Sequence, residues 1–326
     1  MAHLKGQHVN LLLKRGSSYG VIASSTNCSL DITANTADAA AKDDPGNGIF
    51  GNTEFTNYSW SASNESFIVD INYLAYLLDL VINGNGEVDM QFGNSANYYG
   101  NKVAKQGRAI ISSLTVDAAN GDFAKLSLSL DGNGELTSLE SPITVTPVSS
   151  ILPKIKGKAL MIAMRTGTGS TPAWQTIACA SSHKLTVSLN LSDITDKDYN
   201  DKTVLKEVTG KSVSLSTENL IDNVGTATTT GTGFQKLYDL ITNGTPVKVA
   251  FGYYQSSIGQ SIHNGTGAHD NGWGDPETTL LEGDFIVTSL STSGANKEDA
   301  TFSAEFKNKG AVIVAKPASD SLSEEE

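Results

Sequence analysis

The sequence predicts a mainly β protein: a β-sandwich or barrel with one short packed helix per repeat, in two tandem homologous domains. Three observations predict it. Gly is abundant (31) and Pro scarce (8), and Ser, Thr and Asn are frequent, a mixture that favours short strands joined by turns. Several stretches alternate apolar and polar residues with period two. The first half of the chain recurs in the second, block by block and in order.

The repeat is read directly. Ile22–Asp43 aligns without a gap on Ile177–Asp198, so that Leu30, Ile32, Asn35 and Asp38 meet Leu185, Val187, Asn190 and Asp193. SWSASNESFI from Ser59 meets SVSLSTENLI from Ser212, and LDLVINGNGEVDMQFG from Leu78 meets YDLITNGTPVKVAFG from Tyr238. The segment from Gly107 (GRAIISSLTVDAANGDFAKLSLSL) meets that from Gly283 (GDFIVTSLSTSGANKEDATFSAEF). At the front, Lys5–Lys14 meets Lys156–Arg165. Five blocks in one order point to a tandem duplication. The expected division is a first domain over 1–137, a linker over 138–156, a second domain over 157–315, and a disordered acidic tail over 316–326. The linker carries Pro142, Pro147 and Pro153, which fix φ and remove donors, so it is expected to be extended and outside any central strand.

Within each copy, the apolar runs Val9–Leu13 and Leu160–Met164 fit buried strands. Ser29–Thr33, Lys184–Ser188, Tyr58–Ala62 and Ser212–Ser216 alternate, so each is expected to bury one face. Ala109–Val116 with Ala124–Leu130, and Phe285–Leu290 with Ala300–Phe306, read as hairpins turning at Ala119-Asn120-Gly121 and Ala295-Asn296-Lys297. A helix is predicted over Ile71–Ile82, where Leu74, Leu77, Leu78 and Val81 share a face, and over Gly233–Thr242, with Leu237, Leu240 and Ile241. Asn83-Gly84 and Asn243-Gly244 are expected to stop these helices through a left-handed Gly, and strands follow at Val88–Phe92 and Val247–Phe251. The helix is expected to pack on the outside. Long polar stretches, Asn35–Asn57 and Asn190–Thr209, read as loops of functional length.

Composition narrows function. The chain of 326 residues carries a net charge of −12, which argues against a sequence-reading nucleic-acid binder, since that needs a basic face. It leaves room for nucleic acid as a passing cargo, because a like-charged wall repels phosphate. Two cysteines, Cys28 and Cys179, are too few for a disulfide framework. The apolar stretch Val9–Leu13 is too short for a secretory h-region, and no run approaches a membrane span, so no membrane partner is expected.

These residues resemble the major tail tube protein of long-tailed bacteriophages, in a version with two tube domains per chain. The pattern is an opening strand after Gly, SLDITANTADAAAKDD, SWSASNESF, a helix ending in NG, a strand ending in FG, and the final hairpin ISSLTVDAANGDFAKLSLSLDGNGEL. The resemblance implies a structural virion protein of the phage tail, made in the host bacterial cytoplasm. Its chains would stack as trimeric pseudo-hexameric rings around a tape-measure protein and later conduct DNA, meeting sheath, tail terminator or baseplate proteins. Inner strands would line the lumen, with Asp31, Asp117, Asp131 and Glu305 as acidic candidates. The long loops would be inter-subunit or inter-ring arms, carrying Lys42, Asp43, Asp44, Lys197 and Asp198. Two other readings stand beside it: a tandem carbohydrate- or surface-binding sandwich, and the inner tube of a contractile injection system.

No enzymatic activity, cofactor or metal is expected. Within the insertion Ser256–Leu281 of the second copy, the segment His263–Glu277 holds His263, His269, Asp270, Asp275, Glu277 and Trp273, but its His spacing fits no zinc pattern and the first copy lacks it. Asp131–Glu135 and Asn83–Glu87 read as turns, because an EF-hand loop needs more ligands at wider spacing. Gly167–Ser170 lacks the Lys-Ser/Thr ending of a phosphate loop. Cys28 aligns with His183 and Cys179 with Ser24, so neither thiol is shared between copies, and no base partner is evident for either. Trp60 aligns with Val213, which favours a core role, and His3, His8 and His183 stand alone. The sequons at Asn27, Asn57 and Asn264 are patterns without a secretory context.

Overall fold

The computed structural model describes residues 5–38, 53–94, 104–141, 143–145, 153–166, 173–177, 180–194, 202–221, 233–253, 279–296 and 298–314. The first half supplies β1 (Val9–Arg15), β2 (Ser18–Val21), β3 (Ser25–Asp38), β4 (Thr53–Phe67), α1 (Ile71–Ile82), β5 (Glu87–Asn94), β6 (Lys105–Ala119) and β7 (Lys125–Ser138). The second half supplies β8 (Leu160–Thr166), β9 (Ala173–Thr176), β10 (Ala180–Ile194), β11 (Leu205–Leu220), α2 (Phe234–Thr242), β12 (Val247–Tyr253), β13 (Thr279–Ser293) and β14 (Thr301–Val314). The mainly β expectation holds.

The first seven strands pair antiparallel in the order β2-β1-β5-β6-β7-β4-β3. The last seven pair as β9-β8-β12-β13-β14-β11-β10, the same order. The irregularities coincide as well. Bulges between Gly107/Ala109 and Ile111/Ser113 of β6 recur between Gly283/Phe285 and Val287/Ser289 of β13. Shifts at Ser25/Asn27 and Asn35/Thr36 of β3 recur at Ala180/Ser182 and Asn190/Leu191 of β10. A bulge re-aims every side chain beyond it, so coincident bulges keep equivalent residues on equivalent faces.

Each half folds its sheet so that distant strands meet. In the first half, Cys28 Sγ lies 3.6 Å from the Val9 carbonyl, bringing β3 over β1. Trp60 of β4 lies over β6 and β7. Its indole is buried, donates from Nε1 to Gly134 O at 2.9 Å, and rests on Gly107 and Gly132, where any Cβ would enter the ring. This is the core role expected for Trp60. In the second half, Val213 takes its place and Asn308 Oδ1 accepts from the Val213 amide at 2.9 Å.

The helices form where expected, α1 with the predicted bounds and α2 with Gly233 as its N-cap. Asp70 caps α1 by accepting from Asn72 N at 2.9 Å, and Leu74, Leu77, Leu78 and Val81 are buried. Two details differ from expectation. Gly244 adopts the left-handed conformation (φ 59°) after α2, but after α1 that role passes from Gly84 to Gly86 (φ 69°), whose amide donates to Leu80 O at 3.0 Å. The helix α1 also lies against β10 and β14 of the second half, rather than wholly outside.

The long polar stretches are not simple loops. The β3–β4 ladder continues through Asn35↔Asn57 to Asp38↔Thr53, and the β10–β11 ladder through Leu191↔Val208 to Ile194↔Leu205. Both are ribbons that run on beyond the fully buried stretch, the first ending with Phe55 exposed and the second with Ile194 exposed while Leu191 and Val208 still rest on the core. The linker is partly packed: Ile143 is buried against Leu12 and Ala104, and Ile155 exchanges backbone hydrogen bonds with Ala124 and Ile68, both at 2.8 Å. The tail over 316–326 lies outside the described residues.

Candidate functional site

The two halves are joined strand to strand. β10 pairs with β6 from Ser182↔Ala119 to Ser188↔Ser113. This single contact makes an unbroken run of eight antiparallel strands, β3-β4-β7-β6-β10-β11-β14-β13.

The run has two unlike faces. One buries Leu114 and Val116 of β6, Leu126, Leu128 and Leu130 of β7, Leu185 and Val187 of β10, Leu215 of β11, and Ala304 and Phe306 of β14 in a core shared by both halves. Alternation puts every intervening residue on the other face. Serines cross it in register: Ser29↔Ser63, Ser63↔Ser129, Ser129↔Ser113, Ser113↔Ser188 and Ser188↔Ser212. Thr115 and Thr186 hydroxyls meet at 3.5 Å across the join. A charged row runs beside them: Lys125↔Asp117, Asp117↔Lys184, Lys184↔Ser216 and Ser216↔Glu305.

The four acidic candidates therefore share this polar face. Asp31, Asp117 and Glu305 are exposed on β3, β6 and β14. Asp131 is ion-paired with Lys206 at 3.2 Å. The face is less acidic than expected, because Lys125, Lys184 and Lys307 stand among Asp31, Glu65, Asp117, Asp131, Glu218 and Glu305. The sequence signal for these lysines was their place in the alternating Ser-Leu-Ser-Leu runs. The arm candidates Lys42, Asp43, Asp44, Lys197 and Asp198 lie outside the described residues, as does the segment from His263 to Glu277. The second ribbon reaches back onto the first half: Tyr58 N donates to Lys202 O at 2.8 Å, and Lys206 N to Asn133 Oδ1 at 2.8 Å.

Other candidate chemistry stays dispersed. His183 is buried on the core face of β10, and burial pushes its imidazole down to about 4. Burial raises the Cys28 thiol, the reverse of an activated nucleophile. Among the described residues, no cluster of three or more His, Cys, Asp or Glu could hold a metal ion. Among them too, no helix is long and apolar enough to cross a membrane.

No family model matches the sequence, and no curated protein matches it. Two solved structures are similar at low level. A chain from the tail of an empty gene transfer agent particle, determined by helical refinement in C6 symmetry, aligns with 49% of this chain and 97% of its own, at 16% identity and a TM-score of 0.34. A chain from the native gene transfer agent virion aligns over the same shares at 16% identity and a TM-score of 0.32. Likeness at this level carries no argument about function.

Proposed function

We propose that this chain is a non-enzymatic structural protein of a bacteriophage-type tail, forming the hollow tube through which DNA passes. In this reading, 1–137 and 157–315 are tandem tube domains joined by 138–156, and three chains close a ring of six domains. Stacked rings enclose a tape-measure protein and then DNA within the virion tail, without cofactor or metal. The single observation that carries the reading is the eight-strand run, whose uncovered face is lined by serines, threonines and offsetting charges. Such a wall hydrates well and offers DNA no basic stripe to grip. A long sheet with free margins is also a liability in a lone subunit, and lateral closure removes it. The sequence resemblance supplies the tube assignment itself.

The test is negative-stain microscopy of the purified chain over a range of concentrations. Hollow tubes or three-chain rings are expected. A monomer at every concentration refutes the reading.

A further inference from the structure

The two halves are equivalent strand for strand, yet their surroundings are not. The β6–β10 join shows what the second half's leading surface covers on the first half's trailing surface. One margin of β6 is shared: β5 pairs with Lys105–Ile110 and β10 with Ser113–Ala119. On the equivalent margin of β13, β12 pairs with Thr279–Phe285, but among the described residues no strand pairs with the stretch after Ser289. Likewise β10 is flanked by β11 and β6, whereas among the described residues β3 is flanked by β4 alone.

Side chains follow the same asymmetry. Val187 of β10 is 0% exposed; its counterpart Ile32 of β3 is 55% exposed. On the trailing side, Leu78 of α1 is 0% exposed and its counterpart Tyr238 of α2 is 49%. Ile68, whose carbonyl accepts from Ile155 N at 2.8 Å, is 3% exposed, and its counterpart Ile221 is 38%. Gly157 is so close to Ala119 that a Cβ would strike the Ala119 carbonyl, while a Cβ on the equivalent Gly6 would meet nothing. Uncovered apolar residues thus sit at both ends of the chain, at the positions that the join buries in its middle.

We infer that β3 of one chain pairs antiparallel with β13 of a second copy, in the register of the internal join. Asn27 lies opposite Ala295, Leu30 opposite Thr292, Ile32 opposite Leu290 and Thr33 opposite Ser289. Gly6 then seats on Ala295 as Gly157 seats on Ala119. The partner is another copy, because the surface completing β3 already exists on this chain at β13. Leading and trailing surfaces differ, so the contact is head-to-tail and closes a ring if the rotation allows. The inference deepens the tube reading and rests on it for ring closure, but not for the register.

The experiment uses the full chain with Cys28→Ser and Cys179→Ser. Ser29→Cys with Ser293→Cys places thiols at facing positions of two chains. Lys184→Cys with Asp117→Cys is the same pair inside one chain, and Ser29→Cys with Ser291→Cys is two residues out of register. After a short bis-thiol reagent, denaturing gels should show covalent dimers and trimers for Ser29/Ser293. Lys184/Asp117 should link within the monomer, and the displaced pair should give at least tenfold less multimer. In parallel, Ile32→Lys should abolish assembly while leaving the monomer's melting temperature within a degree or two. Rings or tubes that form without the Ser29/Ser293 cross-link, or that survive Ile32→Lys, overturn this pairing and leave the tube reading standing. A wild-type chain that never assembles overturns both.

Discussion

Acid should loosen the internal join through one residue. His183 lies on β10 between Thr217 of β11 and Ala118 of β6, and its Nδ1 has no hydrogen-bond partner among the described residues. Burial lowers the group from 6.5 to about 4, and among the described residues no charge or hydrogen bond offsets it. A base with a lowered folded pKa stabilises the fold fully above its unfolded value and progressively less as pH falls toward its folded value. The loss therefore begins near pH 6.5 and approaches its limit near pH 4. At about 1.4 kcal/mol per unit, this is roughly 2.5 kcal/mol by pH 4.5. Urea unfolding at pH 7.5 and 4.5 measures it, with His183→Leu as the reference that cannot protonate. Carboxylate effects are common to both chains and cancel in the difference. The wild type should lose about 2.5 kcal/mol more than His183→Leu. Equal losses would mean that His183 reaches water or a partner in the folded chain, and the account of its burial would be wrong.

Further expectations follow from the packing. Gly132→Ala puts a methyl into the Trp60 indole and should cost about 1–3 kcal/mol, with a shift in tryptophan fluorescence; unchanged stability would show that the ring has room to move. Asp70→Ala removes the N-cap of α1 and should cost about 1 kcal/mol in denaturant unfolding, whereas Asp70→Ser should recover most of it. Lys206→Met breaks the partly exposed pair with Asp131 and should change stability by no more than about 1 kcal/mol, a small loss that 1 M salt should reproduce in the wild type. Replacing Ser63, Ser129 and Ser188 together by Lys should leave the fold intact, and in assembled tubes it should slow or stop DNA passage, read as reduced ejection.

Strands with one buried face announced themselves. Ser212–Ser216 and Ala124–Leu130 alternate because each buries every second side chain, and the structure places strands over both. The short strands β2 and β9 were missed, since four residues give too little period to read. The outer ends of β3, β4, β10 and β11 looked like loops for a different reason. These ends bury too few side chains, at too irregular a spacing, to show a period-two alternation, so the pattern that marks the inner strands is absent from them.

The sequence by itself determined the strand and helix blocks, their repetition, and the polar alternation that makes one face of the sheet wet. Those are local consequences of which side chains need burial. Only the tertiary structure decided which copies of that pattern are covered. Leu185 and Val187 of β10 read like Leu30 and Ile32 of β3, four apolar residues in matching places. The first pair is sealed because β6 supplies a margin and a core beside it, and the second is not. Burial belongs to the neighbour as much as to the residue, and a neighbour brought by folding is not written in the segment it covers.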